Sequence, residues 1–202
     1  MNYHRIFSKF YEIAAQKMCL DCRDFIEKGS KILDLGCGSG IVAKTFQDFF
    51  GAEILGADIE DSRTLPIPFK IIDGNSLPFE NLSFDVVLIS YVLHHSRDPE
   101  ALLKEAKRVS EKIIIYEDLP EGILSRLRCG FHQASYNLFF QKQKLLHNLT
   151  APQKLFHNFK TQKEWEELFK KLGLKIIAKK KVSLWVDWLD PVQRILFVLE
   201  RI

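Results

Sequence analysis

The sequence predicts a single α/β domain built around a mostly parallel sheet. Short apolar runs at Lys31–Leu35 and Phe84–Ser90 have the length and composition of buried central strands. Helical patterns separate most of the predicted strands, as expected when parallel strands are joined by crossovers. Pro66 and Pro68 instead predict a connection without a full helix between strand two, Glu53–Asp58, and strand three, Phe69–Ile72. Phe84–Ser90 is then strand four and Lys112–Tyr116 is strand five. The last predicted strand, Val192–Glu200, follows strand six, which lies within Leu174–Trp185, after so few residues that only a hairpin fits, so it should be antiparallel. The chain has 202 residues, which is enough for one α/β core.

A glycine-rich turn follows the first strand and leads into a helix. Residues 34–40 read Asp-Leu-Gly-Cys-Gly-Ser-Gly, and glycines at alternate positions allow a tight turn that a ligand can approach closely. A dinucleotide fingerprint would need a third glycine where Ile41 stands. Asp34 would repel a pyrophosphate, whereas it can accept hydrogen bonds from an ammonium group. Both observations disfavour a nicotinamide-dependent oxidoreductase.

Five stretches together resemble the class I S-adenosylmethionine (AdoMet)-dependent methyltransferases. They are Asp34–Gly40, Gly56–Ile59, Asp73–Phe79, Phe84–Ser90 and Val92–His95. The pattern is most similar to small-molecule methyltransferases of the ubiquinone and menaquinone biosynthesis type, and it covers residues 31–116 well. The resemblance implies a Rossmann-like, seven-stranded, mostly parallel sheet with strand order 3-2-1-4-5-7-6, the last strand antiparallel and helices on both faces.

The resemblance also implies the cofactor and the residues that bind it. The cofactor is AdoMet, and the implied binding residues are Tyr11, Asp34, Gly36, Cys37, Gly38, Asp58, Ile59, Asp73, Gly74, Asn75 and Ser90. Asp34 and the Ser90 carbonyl would lie near the ammonium group, and Asp58 would accept from both ribose hydroxyls. Asp73 would accept from the adenine amine, against an apolar wall supplied by Ile59.

Two histidines leave strand four on the side where the methyl acceptor should lie. His94 and His95 are therefore the candidate catalytic residues, because a histidine can serve as a base near neutral pH. A base is needed only if the acceptor must lose a proton. The alternative is that one of them only caps or packs. No cluster of metal ligands is visible in the sequence.

Residues 119–160 interrupt the family pattern with an aromatic, amphipathic segment that is too long for a loop. In similar enzymes this position carries a lid over the acceptor site, so a helical lid and a partly apolar acceptor are expected. Extra core packing or a dimer contact is the alternative. At the other end, residues 1–29 should form a helical cap with a helix over 3–28. In similar methyltransferases such a helix lies over the cofactor, which implies that Tyr11 would reach the methionine carboxylate. The alternative is a helix that only packs across the sheet.

Composition argues against several other classes of protein. The net charge of +3 is small and does not indicate nucleic acid as a partner. No run has the length of a membrane span, and the first ten residues lack a signal-peptide apolar core. Cys19 and Cys22 form a C-x-x-C pair, but no second Cys or His pair completes a zinc site, so the four cysteines fit a reducing cytoplasm. The expected protein is a cytoplasmic monomer or homodimer acting on a small molecule, with a non-catalytic AdoMet-binding or regulatory protein as the alternative.

Overall fold

The computed structural model describes residues 8–131, 159–183 and 192–202. Its helices and strands alternate along most of the chain, as the sequence predicts. In chain order they are α1 (Ser8–Cys22), β1 (Lys31–Leu35), α2 (Ile41–Phe50), β2 (Glu53–Asp58), β3 (Phe69–Ile71), β4 (Phe84–Ser90), a 3-10 turn (Leu93–His95), α3 (Pro99–Val109), β5 (Ser110–Leu119), α4 (123–131), α5 (Gln162–Lys171), β6 (Leu174–Val182) and β7 (Gln193–Arg201).

The seven strands form one sheet in the order β3-β2-β1-β4-β5-β7-β6, which confirms the predicted topology. β4 is the central strand, and β1 beside it is parallel to both β2 and β4. β7 is antiparallel to both of its neighbours, β5 and β6. The strand order therefore reverses beside β1, and α/β sheets of this kind bind ligands outside the carboxyl ends of the strands at that point.

Helices cover both faces of the sheet, as predicted. One face packs on α1 and α2 through the buried side chains Ile32, Leu88, Ile114, Met18, Cys22, Ala43 and Phe46. The opposite face packs on α3 and α5 through Leu33, Val87, Ile113, Phe197, Leu103, Ala106, Trp165 and Phe169. Tyr116 joins β5 to α1 directly, because its hydroxyl donates to the Met18 carbonyl at 3.0 Å.

The connection from β2 to β3 contains no helix, in agreement with the expectation from Pro66 and Pro68. Ile67 takes the place of a packed helix by lying against the sheet, where it is 4% exposed. A Cβ added at Gly56 would come within 2.8 Å of the Ile67 side chain, so the connection is seated directly on β2. Thr64 N donates to the Ser39 carbonyl at 2.9 Å and ties this connection to the glycine turn.

Some predicted boundaries are wrong. The expected helix over 3–28 ends at Cys22, where the chain turns and Phe25 N donates to the Cys22 carbonyl. Residues 1–7 lie outside the described part of the chain. β5 continues to Leu119 although the sequence suggested an end at Tyr116. Of the predicted insertion 119–160, residues 123–131 are helical, and 132–158 lie outside the described residues.

The two ends of that insertion lie close together. Glu121 accepts a hydrogen bond from the Gln162 backbone N at 3.2 Å. α5 then begins with a capping box, in which Thr161 Oγ1 accepts from Glu164 N and Glu164 accepts from Thr161 N. None of the helices in the described ranges has the length and apolarity needed to cross a bilayer.

We expect Thr161→Ala to lower the free energy of unfolding by about 1 kcal/mol, because the first turn of α5 loses its side-chain cap. Thr161→Ser keeps the hydroxyl and should stay within a few tenths of a kcal/mol of wild type. Urea denaturation followed by circular dichroism measures both. Equal loss in the two variants would show that the methyl group, and not the cap, contributes the stability.

Candidate functional site

The glycine turn after β1 is held against the neighbouring strand β2. Gly36 N donates to the Ala57 carbonyl at 2.7 Å, and Cys37 N donates to the same oxygen at 3.3 Å. Gly36, Gly38 and Gly40 have φ angles of 80°, 48° and 77°, which side chains other than glycine rarely adopt. The turn therefore depends on glycine at each of the three alternate positions.

Gly36 and Gly38 serve different purposes within this turn. A Cβ at Gly36 would lie 2.3 Å from Cγ2 of Val92, so the loop after β4 packs directly on this glycine. A Cβ at Gly38 would meet nothing within 4 Å. Gly36 is thus required by packing within the protein, whereas Gly38 leaves open space beside the backbone.

Asp58 lies at the carboxyl end of β2 and connects that strand to the glycine turn. Its Oδ2 accepts from Gly38 N at 2.9 Å, and its Oδ1 accepts from Ile59 N at 2.7 Å. Burial raises the pKa of this carboxyl, although hydrogen bonds from Gly38 and Ile59 oppose the effect. Each oxygen can accept a further hydrogen bond, so the carboxylate can still bind a diol.

Asp34 is buried beneath the same turn, with 1% of its surface exposed. Its Oδ2 has no hydrogen-bond partner within the described ranges. Burial, together with the nearby charge of Asp58, raises the pKa of Asp34 to about 7. A buried carboxylate with an unsatisfied oxygen is costly by itself and favours a cation beside it.

The residues predicted around adenine and at the end of β4 occupy neighbouring loops. Ile59 is 53% exposed, and a Cβ at Gly74 would lie 3.2 Å from it, so the two positions are adjacent. The Asp73 carboxylate accepts from Asn75 N at 2.8 Å within its own loop. Hydrogen bonds from Ser76 and Asn75 lower the pKa of Asp73. The site therefore offers an apolar wall beside a polar loop.

The remaining predicted cofactor-binding residues differ in burial. Ser90 Oγ is buried and has no hydrogen-bond partner in the described portion of the chain. Tyr91 follows with a φ of 59°, an unusual angle for a residue of this size, at the exit of β4. Tyr11 lies on α1 and is 37% exposed. Its contact with a methionine carboxylate stays a prediction.

His94 forms a buried pair with Glu117, a residue that the sequence reading missed. His94 Nδ1 lies 2.6 Å from Glu117 Oε2, and Leu93 N donates to Glu117 Oε1 at 2.8 Å. Burial disfavours the charged imidazolium, but the negative charges of Glu117 and Asp118 outweigh that effect and raise the pKa of His94. Glu117 thus fixes both the 3-10 turn and the imidazole ring.

Two aromatic rings complete the surroundings of His94. The Phe159 ring stacks on it with a centroid distance of 4.6 Å and an angle of 13°. The His95 ring lies 4.0 Å away and is only partly buried. Phe159 belongs to the end of the predicted insertion, so that segment returns to the carboxyl end of β4. Among the described residues, no group of three or more His, Cys, Asp or Glu side chains could hold a metal ion.

Comparison with known proteins decides the family. A family model described as a methyltransferase domain matches residues 7–179. The chain belongs to the class I AdoMet-dependent methyltransferases. It is 32% identical over 165 residues to the uncharacterized protein MJ1123 of Methanocaldococcus jannaschii, covering 80% of this chain and 73% of that protein.

Relatives with a stated activity are more distant from this methyltransferase. The ubiquinone/menaquinone biosynthesis C-methyltransferase UbiE of Stenotrophomonas maltophilia is 28% identical over 54% of this chain, and the match spans 46% of its own length. A geranyl diphosphate methyltransferase structure in complex with SAM superposes with a TM-score of 0.68 at 12% identity, covering 94% of this chain and 85% of that one. The structural likeness confirms the fold.

AdoMet is the cofactor of this methyltransferase, and the site fits its chemistry. The unsatisfied Asp34 oxygen suits the ammonium group, and the open space at Gly38 suits a close approach of the ligand. Asp58 would bind the ribose hydroxyls, and Ile59 with Gly74 would border adenine. When bound, AdoMet supplies a methyl group activated by its sulfonium.

We expect Gly38→Ala to weaken AdoMet binding at least about tenfold, because the new methyl group would occupy the space left for the ligand. Gly29→Ala is the matched control, since Gly29 also has a positive φ and open surroundings but lies before β1. Both variants should lose roughly 1 kcal/mol of stability from backbone strain. Calorimetric titration tests this, and equal AdoMet affinity in the two variants would remove the turn from the site.

We expect Asp34→Asn to separate stability from binding. Burial raises the pKa of folded Asp34 to about 7, from the ordinary aspartate value of 3.8. The folded state therefore binds more protons between these values, and this group lowers wild-type stability as pH rises through that window. Asp34→Asn removes this pH-dependent loss. The unfolding free energy of the variant, relative to wild type, should therefore rise from pH 4 to pH 7 and then level off.

The same variant should bind AdoMet roughly ten- to a hundredfold more weakly, because the ammonium group would lose a charged acceptor. Wild-type affinity should also fall as the pH drops below 7, since a proton then competes for Asp34. Calorimetry over this pH range measures both effects. Unchanged affinity in a folded Asp34→Asn protein would exclude Asp34 from ammonium binding.

Proposed function

We propose that this methyltransferase transfers the methyl group of AdoMet to a small, partly apolar molecule by direct displacement. The observation that carries the proposal is the His94–Glu117 pair, which lies at the carboxyl ends of β4 and β5 beside the candidate AdoMet site. The loop holding His94 packs on Gly36 through Val92. This contact supports a site in which the acceptor would lie next to the cofactor.

In this proposal the two histidines have different tasks. His94 is 2% exposed and its Nδ1 is engaged by Glu117, so it positions the turn. His95 is partly buried and lies against the His94 ring, which suits it to contact the acceptor. If the acceptor must lose a proton, His95 would take it, and the chain otherwise has only to align the acceptor atom with the methyl group.

Aromatic surroundings support an acceptor with apolar parts. Phe159 stacks on His94, and the sequence of the insertion 119–160 is rich in Phe and Tyr. Aromatic side chains offer large apolar contacts with few polar groups. We propose that this insertion is the lid over the acceptor. The relative named for ubiquinone and menaquinone biosynthesis is compatible with such an acceptor.

The proposal also includes the compartment. All four cysteines are buried thiols, and burial raises the pKa of Cys19, Cys22 and Cys37 to about 12. Such thiols are unreactive and persist in a reducing environment. This supports a cytoplasmic enzyme.

A labelled-methyl assay tests the proposed reaction. Purified protein, AdoMet carrying a labelled methyl group and an extract of small molecules should give label in an organic-extractable product. His95→Ala should lower the transfer rate about a hundredfold or more if His95 is the base, with AdoMet affinity unchanged in calorimetry. His94→Gln is the companion variant, since it keeps a side chain that can hydrogen-bond Glu117.

The alternative is a non-catalytic AdoMet-binding or regulatory protein, because fold alone does not establish turnover. In that case AdoMet would bind with no label transferred to any extract fraction. If the protein transfers the methyl group and His95→Ala has the wild-type rate, the proposed reaction stands but His95 has no role in it.

A further inference from the structure

α4 presents an apolar surface to the outside of the protein. Ser125 and Cys129 are buried and face the domain, and Ser125 Oγ donates to the Leu119 carbonyl. The opposite side of the helix carries an apolar stripe of Ile123, Leu124, Leu127 and Phe131, which are 79%, 66%, 65% and 65% exposed. Surface helices normally turn their apolar side toward the core, so an outward stripe indicates a contact surface.

Basic residues flank this stripe. With 100° of rotation per helical residue, Arg126 and Arg128 lie on its two sides. The Arg126 Nε donates to the Pro120 carbonyl, and the Arg128 guanidinium lies 5.9 Å from the centroid of the Phe131 ring. Long basic side chains in such positions can extend their charge toward an interface while their stems stay on apolar surface.

The sequence from 122 to 163, which includes α4, carries an excess of positive charge because it lacks acidic residues. Residues 122–163 contain seven Lys and Arg and no Asp or Glu, which leaves 22 basic and 26 acidic residues in the rest of the protein. Arg126, Arg128, Lys160 and Lys163 belong to the described residues. The other three lysines fall in 132–158, outside them. The small net charge of the whole chain is therefore the sum of a basic segment, 122–163, and an acidic remainder.

We propose that the apolar stripe and its flanking arginines dock on the surface of an anionic lipid bilayer. Apolar side chains on a short helix insert into the headgroup boundary, and basic side chains are attracted by negative lipids. Nucleic acid would satisfy the arginines but not four exposed aliphatic and aromatic side chains. A second copy of the chain would bring a basic segment against an identical one, which is repulsive.

Sedimentation with sucrose-loaded vesicles tests the docking, using the whole chain without AdoMet. We expect binding to vesicles of phosphatidylcholine mixed with phosphatidylglycerol, weak binding to phosphatidylcholine alone, and a loss of binding as salt is raised. L124S/L127S should weaken the partition at least about tenfold, because two apolar side chains no longer insert. R126Q/R128Q should weaken it roughly fivefold per charge removed.

Two matched controls separate the patch from general effects. I13S/L20S removes two exposed apolar side chains on α1, where Ile13 and Leu20 are 45% and 53% exposed. K70Q/K175Q removes two exposed positive charges on β3 and β6. Both should bind anionic vesicles like wild type, and circular dichroism should show that all four variants are folded.

Several results would overturn the proposal. One is equal sedimentation of the stripe variants and their controls. Another is an absence of vesicle binding together with a dimer, detected by light scattering, that L124S/L127S dissociates, since the stripe would then be a self-association surface. Binding to single-stranded RNA but not to vesicles would assign the basic segment to nucleic acid. Docking does not depend on methyl transfer, so a failed transfer assay leaves this test unaffected.

Discussion

The pairing of β1 with β4 at the centre of the sheet determines where this methyltransferase can bind its ligands. β1 leads into the glycine turn, and β4 leads into the turn that carries His94. At their ends, Gly36 and Val92 approach so closely that a Cβ on the glycine would lie 2.3 Å from Val92 Cγ2. The glycine turn and the turn that carries His94 are therefore packed against each other without an intervening layer. Methyl transfer depends on the alignment of two ligands, and under the proposed assignment this contact would limit how far apart they can lie.

Two buried acids near this contact have opposite environments. Asp34 has an unsatisfied oxygen and a second acid, Asp58, nearby, so burial of its charge opposes folding. Glu117 is also fully buried, but both of its oxygens have partners in Leu93 N and His94. The paired acid organises a turn, whereas the unpaired acid retains binding capacity for a cation. A residue such as Asp34, which lowers stability in the absence of ligand, is typical of a binding site.

Local chemistry made much of the fold predictable. Apolar runs predict β1, β2 and β4 with the bounds that the structure shows, and Thr161 with Glu164 has the sequence pattern of a capping box. Glu117 escaped detection because an acid after an apolar run normally ends a buried strand. β5 continues through it since His94, 23 positions earlier in the chain, compensates its charge. The pattern of apolar residues within one segment cannot reveal a contact between two distant segments such as that of His94 with Glu117. The outward face of α4 was missed for a similar reason, because burial of Ser125 and Cys129 leaves the apolar side outside.

The connection between β5 and α4 links the proposed acceptor site to the proposed membrane surface. Glu117 and Leu119 belong to the same strand, and the Leu119 carbonyl accepts a hydrogen bond from Ser125 on α4. Only a few residues thus separate the acid that holds His94 from the apolar stripe. Glu121 also holds Gln162 at the far end of the insertion, so both ends of that segment are anchored beside β5. A helix docked on a bilayer would then face the lipid on the side of the fold where β5 ends. An acceptor that is partly apolar partitions into lipid, so it would be most concentrated at that surface. If both proposals hold, this short path would let the enzyme take its acceptor from the bilayer and not from water.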